Sequence, residues 1–297
     1  LMDYAHSVGT PIDARQDNGN TALSTLCINS ITSRSKPLYY KLAEYGDDLN
    51  VPIKDAKLKP SEIFPDGLPL MLEVLKTKKP GQAAILYDLG AELGSDEQQE
   101  EFLRLLPESS DSEKKTKEEI TQYLEAYRAL PSVDATNPIK KADLFELSEE
   151  GLTPLDNPKT WQQLPQILEA LDKQGEPLTL RELMRENHEG KPWLQRAVEC
   201  RATQPLLTHL REQGQWPEAS LFAGTGENGL NSLGQALLDC AATEHFFQAS
   251  HWKDRGTGAL TDFHKALPQA LQSQVRNMKQ LHIEIERAQA APQRSRA

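Results

Sequence analysis

Glycine recurs in this chain in a fixed phase, and that phase narrows the possible folds more than any other property of the text. A glycine followed four residues later by an apolar residue, with Thr, Pro or Ser between, occurs in Gly19-Asn20-Thr21-Ala22-Leu23, Gly67-Leu68-Pro69-Leu70-Met71, Gly151-Leu152-Thr153-Pro154-Leu155, Gly190-Lys191-Pro192-Trp193-Leu194 and Gly229-Leu230-Asn231-Ser232-Leu233. The last three of these glycines are 39 residues apart in both intervals. A second pattern, Leu-x-x-x-Gly, falls at Leu42 to Gly46, Leu86 to Gly90, Leu171 to Gly175 and Leu210 to Gly214, and its glycine trails the first by 27, 23, 24 and 24 residues. Two markers that stay 23 to 27 residues apart through four units predict a repeated supersecondary unit whose neighbours shield one another's apolar sides.

The chemistry of the markers predicts what the unit is. Asp17-Asn18-Gly19 and Glu227-Asn228-Gly229 are turn sequences in which glycine takes a positive φ at no steric cost. Thr21, Thr153 and Ser232 then suit an N-cap, and Pro69, Pro154 and Pro192 suit a first helical turn, where no N–H is needed. Leu23, Leu155, Leu194 and Leu233 open a buried stripe. In the second helix Leu164, Ile167, Leu168 and Leu171 repeat at helical spacing, as do Leu206, Leu207 and Leu210, and Gly175 and Gly214 stand where a left-handed C-cap is wanted. The expected unit is a helical hairpin closed by glycine.

These residues carry a resemblance. Leu1 to Leu49 resembles the ankyrin repeat: Ala14 to Leu23 is similar to its turn and first-helix opening, and Leu42-Ala43-Glu44-Tyr45-Gly46-Asp47-Asp48-Leu49-Asn50 to its second-helix ending. Leu86 to Leu93 is another copy of that ending. The C-terminal units depart from the pattern, running to 39 residues against about 33 and lacking the usual His after the Leu. The excess fits a short extra helix, from Thr179 to Asn187 and from Pro217 to Phe222. The resemblance implies an all-α fold, an α-solenoid of ankyrin-like helical hairpins, and a role as a protein-binding surface.

Composition sets the outer limits. The chain has 297 residues with 44 acidic against 33 basic side chains, a net charge of -11 that repels phosphate backbones and predicts no nucleic-acid partner. No run of about 18 apolar residues is present, so no membrane span is expected. Three scattered cysteines, Cys27, Cys200 and Cys240, fit a reducing compartment, with the cytoplasm as the default. Leu1 opens directly in helix-forming text, which motivates an alternative: the partner-recognition region of a larger bacterial effector enzyme with its catalytic domain upstream, delivered into a host cytoplasm.

Along the chain the expected organisation is N-terminal repeats over 1–106, a linker and bridging helix over 107–141, divergent repeats over 142–252, a capping helix over 253–290 and a disordered tail over 291–297. Lys114 to Leu130 carries Ile120, Tyr123, Leu124 and Tyr127 on one face. The final helix, Pro268 to Ala288, carries Leu271, Val275, Met278, Leu281 and Ile285, a stripe suited to covering the last repeat.

Candidate chemistry is thin. Gly224-Thr225-Gly226-Glu227-Asn228-Gly229 matches the dinucleotide-binding pattern, but Pro217 to Ala223 is too short for the preceding strand that such a site requires. Arg276 and His282 resemble the Arg-x4-6-His motif of small helical ribonucleases, the weaker enzymatic alternative. No His pair has zinc spacing, and the histidines read as helix-surface or cap residues. No catalytic residue, cofactor or metal is assigned. A protein partner with a basic patch is expected on the concave face and turn tips, with Asn18, Asn20, Lys191, Trp193, Trp216, Asn228 and Asn231 as contacts; for the Trp residues a core role is the competing reading.

Overall fold

A computed structural model describes residues 15–16, 19–29, 36–53, 63–77, 79–133, 139–240, 242–247 and 262–290 of the chain. The described residues are mostly helical: α1 Ala22–Asn29, α2 Lys36–Glu44, α3 Leu70–Lys76, α4 Pro80–Leu89, α5 Asp96–Leu105, α6 Asp111–Ala129, α7 Pro158–Gln162, α8 Leu164–Lys173, α9 Leu180–Leu183, α10 Trp193–Glu199, α11 Thr203–Glu212, α12 Ser232–Asp239, α13 Thr243–Phe246, α14 Asp262–Ala266 and α15 Gln269–Ala290. Short 3-10 turns separate several of them. The strands are a two-residue pair, β1 Pro52–Ile53 and β2 Leu68–Pro69, antiparallel with Ile53 opposite Leu68. The fold is all-α.

Both glycine markers have a backbone cause. Gly19, Gly67, Gly151, Gly190 and Gly229 have φ of 82, 116, 76, 72 and 69°. In four of these turns the glycine N–H donates to the carbonyl three residues back, and that same residue's N–H donates to the carbonyl just after the glycine: Gln16 to Asn20, Ser148 to Leu152, Asn187 to Lys191 and Gly226 to Leu230. Each is a hairpin finger closed by a left-handed residue. The second marker closes helices. The N–H after Gly46, Gly90, Gly175 and Gly214 reaches back to the carbonyl of Leu42, Leu86, Leu171 and Leu210, while the glycine N–H bonds three residues back. This is the Schellman closure, with the marker leucine as its acceptor and buried beneath it.

The helix starts differ in detail from the expected caps. Thr21 Oγ1 accepts from the Ser24 N–H as expected. Ser232 is instead the first helical residue, and the cap of α12 is Asn231, whose Oδ1 accepts from the Gly234 N–H at 2.9 Å. At Thr153 the roles reverse: Asp156 Oδ2 accepts from the Thr153 N–H at 2.7 Å. The extra helices are shorter than expected, α9 and a 3-10 turn over Ala219–Phe222.

Like packs on like between successive units: α1 on α3, α2 on α4, α8 on α11, α10 on α12 and α11 on α13. Leu194, Val198, Leu206, Leu207, Leu233 and Leu237 fill the seams. Contacts are not confined to successive units, because α2 also packs on α12 and α4 on α7. The second helices of the first row (α1 to α4) therefore lie against the first helices of the second row (α7 to α13). In sequence α5 and α6 join the two rows; Ile120 and Leu124 of α6 are buried and the Tyr127 ring rests 4.4 Å from that of Tyr87 in the first row. At the far end Phe222, Phe246 and Phe247 meet edge to face and tilted, with centroids 5.6 to 6.2 Å apart. Over them α15 buries Leu271 and Val275, while Met278, Leu281 and Ile285 further along are only half-buried. Residues 291–297 lie outside the described residues.

Candidate functional site

The finger tips are the exposed ends of the units. Pro65 and Asp66, Glu149 and Glu150, Glu186, His188 and Glu189, and Gly224 to Gly226 face solvent. Asn187 builds its tip from inside: it is buried, its Oδ1 accepts from the Glu189 and Lys191 N–H groups at 3.0 Å, and its Nδ2 reaches Asp156 at 3.5 Å. His188 Nδ1 also meets Asp156, at 3.1 Å. Asp156 thus ties one unit's first turn to the next unit's finger.

The expected contact residues fall into three groups. Asn228 is exposed at a tip with φ 66°, a left-handed position that asparagine tolerates, and Asn20 and Lys191 are half-buried at theirs. Lys191 Nζ pairs with Glu189 at 2.6 Å, a bond that raises the lysine pKa and lowers that of the glutamate. Asn231 is spent on structure, capping α12 and donating from Nδ2 to the Leu221 carbonyl. Trp193 is buried in the core at 3% exposure and offers no surface anchor, whereas Trp216 is half-buried beneath the Arg211 guanidinium, 5.0 Å from the ring. Asn18 lies outside the described residues.

The glycine run at Gly224 to Gly229 is a finger. A Cβ at Gly224 would meet Asn231 backbone at 2.8 Å, and one at Gly226 the Leu230 carbonyl at 2.5 Å, so close backbone approach accounts for both. Before it comes the Ala219–Phe222 turn in place of the strand that a dinucleotide site needs. Arg276 and His282 sit on α15 with separate partners, Gln272 and Glu286. Six residues on a helix set them about 120° apart around its axis. Two histidines depart from the surface reading: His264 and His209 are buried, and Nε2 of His209 lies 3.2 Å from the Leu178 carbonyl.

A second feature was not visible in the sequence. Arg196 of α10 forms a bidentate pair with Asp88 of α4, Nη2 to Oδ1 at 2.9 Å and Nη1 to Oδ2 at 3.1 Å. It also donates to Glu199 at 3.0 Å and to the Asp156 carbonyl at 3.2 Å. Burial opposes the charge on Arg196, but Cys200, Asp88 and Glu199 outweigh it and the pKa is raised. Burial likewise pushes the Asp88 carboxyl up, and the guanidinium draws it back. Cys200, Cys240 and Tyr40 are buried beside this pair, and burial raises the thiol pKa of Cys240 to about 12. These thiols are inert while covered. The one available signal was a cation, Arg196, set among Leu194, Ala197 and Val198.

A groove of about 760 Å³ runs between α8 and α11, floored by Pro165, Leu168 and Pro205 and rimmed by Asp172, His209 and Glu212. Among the described residues, no cluster of three or more His, Cys, Asp or Glu is placed to hold a metal ion, and no helix is long and apolar enough to cross a membrane. Comparison with family models, with curated proteins and with solved structures finds no match for this chain.

Proposed function

We propose that this chain is a protein-binding scaffold of ankyrin-like hairpins whose finger tips receive a partner with a basic patch. The observation that carries this reading is the recurrence of one backbone circuit, a left-handed finger, two helices and a glycine closure, with carboxylates at exposed tips. Glu149, Glu150, Glu186 and Glu189 stand at two such fingers and Asp66 at the Gly67 turn, held by helices that pack like on like. A charged row on a rigid support speeds encounter and selects partners, since its geometry is set before binding. The tips and finger loops, with Asn20, Lys191 and Asn228 among them, are the contacts. The cytoplasm suits three reduced thiols. No observation favours the upstream-enzyme or ribonuclease readings; for the latter, Arg276 and His282 point apart.

The test is a partner captured from lysate and its association rate with the purified chain. Raising salt from about 0.05 to 0.5 M should slow association at least about tenfold. The triple reversal Glu149→Lys, Glu150→Lys and Glu189→Lys should do the same at low salt. An association rate indifferent to both would overturn the proposal.

A further inference from the structure

We propose that the face of α10 and α12 turned toward the first row is a second protein-binding surface, kept closed by the chain's own α2 and α4, with Asp88 seated in Arg196 as the releasable contact. This rests on the scaffold reading above, but its closing experiment needs no partner. Three observations support it. First, the contact between rows holds a largely enclosed bidentate ion pair, Asp88 on Arg196, with Glu199 of the same helix as Arg196 beside it. A buried ion pair adds little net stability because desolvation offsets the attraction, and polar interfaces of this kind permit relative motion of the parts they join.

Second, the buried Gln195 Oε1, on the same helix as Arg196, accepts no hydrogen bond, a costly omission that a donor from an incoming segment would repair. Third, the rows leave a cleft of about 250 Å³ lined by Tyr40, Glu44, Arg201, Cys240 and His245. Arg201 holds φ 60° there, a strained backbone at a position that glycine fills in the second-helix closures. The partner that fits is a protein helix that repeats what α4 offers: a carboxylate for Arg196, next to an aromatic ring as Asp88 is next to Tyr87.

The cysteines report on the contact. Cys200 and Cys240 lie beneath it, whereas Cys27 on α1 is buried within the first row, where Lys79 Nζ donates to its carbonyl. Native-state labelling with a maleimide, read cysteine by cysteine on the full chain, should modify Cys200 and Cys240 faster than Cys27. Asp88→Asn should accelerate Cys200 and Cys240 at least about tenfold and leave Cys27 unchanged. A single common rate for all three cysteines in the unaltered chain means the rows open only on global unfolding and overturns the proposal, even if Asp88→Asn does not fold. Unaltered Cys200 and Cys240 rates in a folded Asp88→Asn do the same. A peptide of the α4 sequence should then slow labelling of Cys200 in Asp88→Asn, and the same peptide with Asn for Asp88 should not; no protection by the first peptide removes the binding role.

Discussion

Alanine at Gly214 puts a Cβ on a backbone with φ 69° and meets nothing within 4 Å, so its cost is the left-handed conformation alone, about 1 kcal/mol. The converse change, Arg201→Gly, relieves the same conformation at φ 60° and should raise stability by up to about 1 kcal/mol. Opposite shifts in denaturant midpoint for these two variants would confirm that φ, and no side-chain contact, sets both effects. At this scale the text was most legible: a glycine that must be left-handed announces itself by type and phase. The Asp88 to Arg196 pair was not, because 108 residues separate its members and only folding brings them together.

Helices were legible where their ends carried signals. The bridging helix was expected over 114–130 and spans Asp111–Ala129, with Ser110 and Glu113 forming a capping box. Misplacing the cap of α12 by one residue shows the limit, since Asn231 and Ser232 are both good caps and backbone geometry chooses. Asn231→Ala should cost about 1 to 2 kcal/mol in thermal or denaturant unfolding, and Ser232→Ala much less. On α15 the apolar stripe reads as continuous, yet its first half is buried and its second half only partly so. Leu271→Ala should therefore cost about 2 to 5 kcal/mol and Leu281→Ala under about 1 kcal/mol, measured side by side.

Across the whole molecule the rows meet again at Glu44, whose carboxylate lies 3.3 Å from His245 and 3.4 Å from Lys41. Burial pushes its pKa up, but these two partners outweigh burial and the net direction is down from 4.5. A depressed folded value means the stabilisation is complete above about pH 4.5 and is lost as pH falls through the lower folded value. As pH falls from about 5 to about 3 the unaltered chain should lose more stability than Glu44→Gln, by less than about 1 kcal/mol because the carboxylate is partly solvated. Parallel melting curves of the two would refute the assignment.

Residue type and spacing were enough to determine the units, because turn, cap and closure depend on the few residues around each glycine. They also determined which leucines go inside, since helical period decides that locally. How the units are arranged was settled only in three dimensions. Whether α2 and α4 stay open to solvent or lie against α12 and α7 depends on contacts between residues far apart in sequence, to which no local pattern is sensitive. The burial of Trp193 and the coupling of Asp88 to Arg196 have that same origin.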